Sequence, residues 1–525
     1  MSASASLPRP SAAPRDSAAR RLPLSISLPM KRHLFRALAA PALGCALLGS
    51  PSLAQWSFES LPTPRSSICM AALNGKVYFA GGQDAGGNWV DTIDVFDEAT
   101  GGWSSLSLPA PFIRGRAAAV GQSVFFGAAW EGPPPTINNR VYEYDTLSGT
   151  WTTHTMSIER YETAFAAVGP YLVIAGGLDA GFGATDVVDI YDSLSGSWSS
   201  LSLPTAVDAP AFAVSGGRLW LAGGEDTATI PVDDMQFVDP AAGITGSISD
   251  LATSRGRLVG GATGKRSWFL GGVDAGFQPL DAWDAVDTDP FAQSAGQLPQ
   301  AVYGAAAAHA GNRLIVAGGL DPVTFTPLSD AVVIEVDGTA TGTTIPGQGP
   351  MIPSFTLLGF HVGASTARSA YFAGGLDASF APTGTVVVYT NPDALCIDTS
   401  SVSLSAGSLS TLDIQVDASL AGTTYLVLGS FSGTSPGFPI GGGLNLPLNL
   451  DGYTTTMLVA PNSIPHLNTL NVVGADGSAQ AQLFLPPGIN PALAGITASY
   501  AALFIDFLGL QVADVTNAAS VTFTP

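Results

Sequence analysis

Six near-copies of one short phrase set the limits on how this chain folds. They read VYFAGGQD (Val77–Asp84), YLVIAGGLD (Tyr171–Asp179), LWLAGGED (Leu219–Asp226), SWFLGGVD (Ser267–Asp274), LIVAGGLD (Leu314–Asp321) and YFAGGLD (Tyr371–Asp377). Each is an apolar strand running into two glycines and an aspartate. A seventh copy, FFGAAWE (Phe125–Glu131), keeps the aromatic strand and the final acid but has Gly127 and Ala128 in place of the glycine pair. The first glycines fall at positions 81, 127, 176, 223, 271, 318 and 374, so the unit recurs every 46 to 56 residues. One such unit cannot bury its apolar face alone and must stack on its neighbours, which is the signature of a propeller.

Inside the unit, four strands are legible. In the first, Ser66 to Leu73 is the apolar innermost strand, Asn74-Gly75 is a turn, and Lys76 to Gly82 is the second strand. Asp91 to Asp97 alternates as a half-buried strand does, and after a glycine turn the fourth strand opens at Trp103. The second and third units repeat this with Tyr142-Glu143-Tyr144-Asp145 before Trp151 and Asp189-Ile190-Tyr191-Asp192 before Trp198. Double glycine, aromatic-acid strand and tryptophan after a glycine turn, in that order, resemble kelch repeats over residues 55 to about 390. The later units lack the tryptophan. The resemblance implies an all-β, seven-bladed kelch-type β-propeller over 55–392. The seventh unit offers strands near Ser354–Val362, Arg368–Gly375 and Thr385–Thr390 but no fourth. Gln55–Leu61 carries the missing tryptophan and leucine, so the amino-terminal strand is expected to close the ring and hide its edge.

From about residue 395 the rhythm stops, and alternating segments between Gly/Pro/Ser turns predict a small β-sandwich over 395–525. Within it, Gly429–Ile440 and Leu446–Tyr453 resemble a tail module of secreted bacterial proteins. At the other end, residues 1–29 are a Ser/Ala/Pro/Arg-rich tract ahead of a second methionine, at which translation is a candidate to begin. Residues 30–54 have a basic segment, an apolar stretch and Ser52-Leu53-Ala54, the form of a signal peptide with cleavage before Gln55. The apolar stretch is too short for a membrane span. A secreted, extracellular or periplasmic monomer is therefore expected. Residues 55–525 hold 13 basic and 40 acidic side chains, and no cation follows Arg368. Such a surface repels phosphate backbones, which excludes nucleic acid as a partner. In an oxidising compartment, Cys69 and Cys396, at opposite ends of the repeats, are candidates for a disulfide that locks the ring.

Two constellations are candidate sites. Paired aspartates flank the loop after each glycine pair: Asp84 and Asp91, Asp179 and Asp186, Asp226 and Asp233, Asp274 and Asp281. Oxygen-rich pairs of this kind suit calcium, while short acids also cap turn amides. Arg160 and Arg255 share a register before their inner strands. Arg65 matches with a one-residue gap, and Arg114 and Arg257 lie two residues further along. A partial arginine ring would bind carboxylates of an acidic peptide or glycan, unless Glu159, Glu162 and Asp208 pair with it.

Enzyme signals are thin. Gly433-Thr434-Ser435-Pro436-Gly437 fits a nucleophile elbow without the strand-to-helix context, and His154, His309, His361 and His466 show no metal-ligand spacing. Kelch galactose oxidases and sialic-acid epimerases are the enzymatic comparison, but the oxidase's tyrosine, histidine and cysteine set is not identifiable. The expected function is protein or glycan binding on the arginine and aspartate loop face. A carbohydrate-active enzyme and a purely structural exoprotein are the alternatives.

Overall fold

A computed structural model describes residues 55–525 except 99, 133–134, 289–290, 321–327, 329, 336–339, 345–362, 367, 378, 380, 392, 417–419, 421, 442–443, 475–476 and 507–510. The leader and Asp321 lie outside these residues. The fold is all-β, and no helix of the described residues is long and apolar enough to cross a membrane. Up to Thr390 the described strands include seven four-stranded antiparallel sheets. The first is built from Cys69–Leu73, Lys76–Ala80, Thr92–Asp97 and Gly102–Ser107, hydrogen-bonded in chain order, and the next five follow the same order. Their first strands are Arg116–Val120, Ala164–Val168, Ala211–Ser215, Val259–Thr263 and Ala306–Ala310.

The seventh sheet takes three strands from its own stretch, Gly363–Ser365, Ser369–Phe372 and Thr385–Thr390, and its fourth from the other end of the chain. Gln55–Ser60 runs antiparallel to Thr385–Thr390, from Gln55 opposite Thr390 to Ser60 opposite Thr385. Trp56 meets Tyr389 edge-on with ring centroids 5.0 Å apart. The inner strand expected at Ser354–Val362 lies outside the described residues.

Each first strand neighbours the next, and Gly363–Ser365 neighbours Cys69–Leu73. A cavity of about 150 Å³ is lined by residues from all seven, among them Met70, Arg116, Phe165, Phe212, Gly260, Ala307 and Gly363. Apolar clusters fill the gaps between successive sheets, including the last gap, where Ala364, Tyr371 and Val386 pack with Ile68, Met70 and Phe79. The glycine pair makes this packing possible. A Cβ on Gly176 would sit 2.7 Å from the Val207 carbonyl oxygen of the next sheet, and one on Gly177 2.4 Å from the Tyr161 oxygen. Both also hold left-handed backbone, φ 64° and 97°, which glycine adopts without steric cost.

The innermost strand expected from Ser66 to Leu73 is broken. Arg65–Ser66 pairs separately with Gln83–Asp84, and Ser67 turns the chain at φ 56°. Cations that open the second strands form rungs to the third strands: Lys76 to Asp97 at 3.1 Å, Arg266 to Asp287 at 2.6 Å and Arg313 to Glu335 at 2.9 Å.

The carboxy-terminal part contains two sheets over one apolar core. One orders Leu395–Ile397, Ser408–Gln415, Ser478–Leu485 and His466–Leu467; the other contains Thr424–Ser430 beside Thr497–Asp506. A helix, Gly452–Val459, interrupts the strands, opened by a capping box between Asp451 and Thr454. The Asp451 carboxylate also accepts from the amides of Phe431 (2.8 Å) and Ser432 (3.0 Å), so it ties together the two segments singled out in the sequence. Those bonds hold its carboxyl down at about 2 despite partial burial.

Cys69 and Cys396 are separate buried thiols, which corrects the disulfide expectation. Cys69 sits in the apolar cluster between the first and second sheets. Cys396 packs beside Gly311 and the Asn391 amide. Burial raises both thiols well above the ordinary range, Cys396 to about 11.

Two measurements check this arrangement. A chain starting at Gln55 titrates two thiols when denatured without reductant; none would restore the disulfide. Deleting Gln55–Ser60 bares the Thr385–Thr390 edge and lowers Tm by roughly 5 °C or more in thermal circular dichroism, with a shift toward larger species on size exclusion.

Candidate functional site

Before the first five inner strands, a short lead-in pairs with the loop that follows the second strand. Arg65 faces Asp84, Ile113 faces Trp130, Arg160 faces Asp179, Asp208 faces Glu225 and Gly256 faces Val273. Lead-ins and aspartate loops therefore share one face, as expected. Next, the chain turns through a left-handed residue at Ser67, Arg114, Glu162, Ala209, Arg257 and Gly304, with φ between 44° and 64°. Gly304 shows what this position costs nothing to hold. Arg114, Glu162 and Arg257 hold it with long charged side chains.

The expected arginine ring divides into two groups with different roles. Arg65, Arg160 and Arg255 are spaced 95 residues apart, as are their partners Asp94, Asp189 and Asp284. The one-residue gap assigned to Arg65 is an accident of the turn, because glycine is second in Asn74-Gly75 and first in Gly169-Pro170. All three guanidiniums are fully buried. Arg65 meets Asp94 at 3.0 Å, Arg160 meets Asp189 at 2.8 Å, and Arg255 pairs with Asp284. Arg160 also donates to the carbonyls of Ile174 (3.0 Å) and Val187 (3.1 Å), tying second strand to third. These three are frame members, each committed to an aspartate of its own sheet.

The aspartate pairs do not assemble a calcium site. Asp84 Oδ1 accepts from the amides of Gly86 and Asn88, both at 2.8 Å. Asp179, Asp226 and Asp274 repeat the pattern, accepting from the residues two and four further on. Each first aspartate is thus consumed by its own loop. Of the second aspartates, Asp233 accepts from the Ser254 hydroxyl at 3.1 Å. Among the described residues no three metal-ligating side chains gather.

What the fold does gather is a buried acidic cluster bounded by cations. Glu162 is 1% exposed, and neither carboxyl oxygen has a hydrogen-bond partner. Asp208 is buried with Oδ1 unsatisfied, and Glu225 lies directly across from it, joined by paired backbone bonds of 2.9 Å. Burial, and then the charge of Asp208, push the Glu162 carboxyl far up, against the pull of Arg116 and Arg114. Burial and Glu225 push Asp208 up likewise. Arg114 comes within 3.7 Å of Glu162 and lies over the Trp130 ring. Arg257 meets Glu225 at 3.1 Å, Tyr303 Oη at 3.3 Å and the Phe277 face at 5.2 Å. Arg116, in the central cavity, donates to the Thr163 carbonyl at 3.1 Å. Arg114 and Arg257 thus reach acids of adjacent sheets rather than their own. Glu162 and Asp208, read from the sequence as partners for arginine, are the centre of the cluster. Glu225 was missed, although LWLAGGED alone among the phrases has an acid before its aspartate.

A model of the Kelch motif matches residues 64–107, the stretch from the first lead-in through the fourth strand of the first sheet. Among solved structures, one titled "Structure of YjhT" is similar at 14% identity, covering 55% of this chain and 99% of that chain with a TM-score of 0.43. No curated protein matches the chain. The motif match, on an array of four-stranded antiparallel sheets, supports a kelch β-propeller.

The two arginine groups separate by stability. Arg160→Ala strands a buried Asp189 and costs about 3–5 kcal/mol in urea unfolding, whereas Arg114→Ala costs under about 1 kcal/mol. Equal costs would erase the distinction. For the acids, the folded state keeps protons that the unfolded chain releases above the usual carboxylate range of about 4. Their contribution to stability is therefore greatest at or below that range and falls as pH rises through neutrality. Glu162→Gln should flatten part of that fall; an unchanged slope would show that Glu162 releases its proton normally.

Proposed function

We propose that the protein is an exported binding module that takes a glycan on the lead-in face. In this reading the seven sheets are the blades of a kelch propeller closed by Gln55–Ser60, and the carboxy-terminal sheets are a β-sandwich attached to it. The unsatisfied oxygens of Glu162 and Asp208 carry the proposal. A buried acceptor without a partner costs about 1–3 kcal/mol, and a ligand that donates hydrogen bonds recovers it. Sugar hydroxyls are such donors. An acidic peptide is the poorer fit, because the groups awaiting partners are themselves acids and the chain is strongly negative. Arg114 and Arg257, braced on Trp130 and Phe277, flank the acid cluster.

One observation favours a second reading. Glu162 and Asp208 hold protons toward neutral pH beside arginines, a poise that suits general acid–base chemistry on a sugar. Screening the chain from Gln55 on a glycan array and a peptide array separates the readings. Glycan binding lost at least tenfold in Glu162→Gln supports the module, and turnover of a bound sugar, monitored by nuclear magnetic resonance, moves the assignment to an enzyme. Binding by neither array leaves a structural exoprotein. Amino-terminal sequencing of the protein purified from whole producing culture should begin at Gln55, and a leader left intact on cell-retained protein would remove export from the proposal.

A further inference from the structure

Phe182 and Phe277 occupy the tips of the aspartate loops of the third and fifth sheets, on either side of the loop that carries Glu225. Their side chains are 60% and 58% exposed. Each holds left-handed backbone, φ 61° and 56°, where the first sheet's loop has Gly87. A bulky residue rarely adopts this conformation. Here the loop enforces it: the Phe182 amide donates to the Asp179 carbonyl at 3.0 Å, the Phe277 amide to Asp274 at 2.9 Å, and the aspartate carboxylates cap the amides on either side. Two large apolar rings are thus presented to solvent on constrained loops.

Both rings connect to the acid cluster through one neighbouring side chain. Phe182 meets Tyr161 edge-on at 6.4 Å, and Tyr161 immediately precedes Glu162. Phe277 lies under Arg257, which holds Glu225. Rings beside buried hydrogen-bond acceptors match the two aspects of a pyranose, which has an apolar C–H face and a rim of hydroxyl donors. We infer that Phe182 and Phe277 are stacking platforms flanking the Glu162 pocket, so that the ligand is an oligosaccharide of several residues rather than a single sugar. This rests on the glycan reading of the pocket. It adds two subsites, a minimum ligand length and a role for loops otherwise explained as turns.

Isothermal titration with glucose, N-acetylglucosamine and galacturonate oligomers of one to six units tests it. Wild-type protein should bind at least one series, with affinity rising with length. Phe182→Ala and Phe277→Ala should each weaken the longest oligomer about tenfold. The shortest oligomer that binds should be unaffected. Leu194→Ala, at an exposed hairpin tip on the opposite face, should change nothing. Glu162→Gln should weaken every length. If the phenylalanine variants bind the hexamer as wild type does while Glu162→Gln fails, the platforms are refuted and the pocket stands. Loss in the phenylalanine variants but not in Glu162→Gln keeps the platforms and removes the pocket. No binding to any series by wild-type protein refutes both.

Discussion

At most junctions between successive sheets the first glycine passes its neighbour at a distance that leaves no room for a β-carbon; the second sheet, where Ala128 holds left-handed backbone at φ 50°, is the exception. A Cβ on Gly271 would stand 2.2 Å from the Val302 oxygen, and one on Gly374 2.3 Å from the Ile68 side chain, the latter where the seventh sheet meets the first. This approach sets the spacing of neighbouring sheets, and the apolar clusters between them are thick enough to fill that spacing and no thicker. The second glycine lets the sheet's own lead-in come close, as Gly177 does for Tyr161 and Gly224 for Asp208. The conspicuous phrase is therefore scaffold, and chemistry collects on the residues it lets come close.

Much of that scaffold was legible. Strand pairs, hairpin turns, the tryptophans that stack on Tyr144 and Tyr191, and the return of Gln55–Ser60 to the seventh unit follow from pattern and turn chemistry. The helix Gly452–Val459 was missed inside a β-rich context, although Asp451 and Thr454 form a readable cap. The break at Ser67 was hidden because its left-handed backbone, φ 56°, falls on a serine rather than on the glycine or asparagine that usually marks such a turn. The site was less legible. Arg65, Arg160 and Arg255 looked like a ligand ring because a charge in a sequence gives no sign of which carboxylate lies across the sheet from it. Counting by 95 instead of by single units pairs them with Asp94, Asp189 and Asp284 at once.

That longer period also separates frame from function. Odd-numbered sheets one, three and five carry the buried Arg–Asp tie, while the second, fourth and sixth place Phe112, Val207 and Val302 at the same point. A buried ion pair adds little net stability over an apolar contact but penalises any shift that parts it. Alternating the two around the array fixes the lead-ins without filling every position with charge. Against that fixed frame, Glu162 stands out as a buried charge-bearing group that the frame leaves unsatisfied.

The strand Gln55–Ser60 has a consequence for how the molecule comes into being. Its partner Thr385–Thr390 lies more than 300 residues away along the chain, so the first described element to be synthesised is among the last to find its place. Joining ends so distant costs little extra entropy at equilibrium, since that cost grows only with the logarithm of length. In time the cost is larger, because contacts of high sequence separation slow folding. Until the seventh sheet is made, the six before it form an open arc with an unpaired border at each end. The closing strand then acts as a proofreading step, available only to a chain that has completed its array.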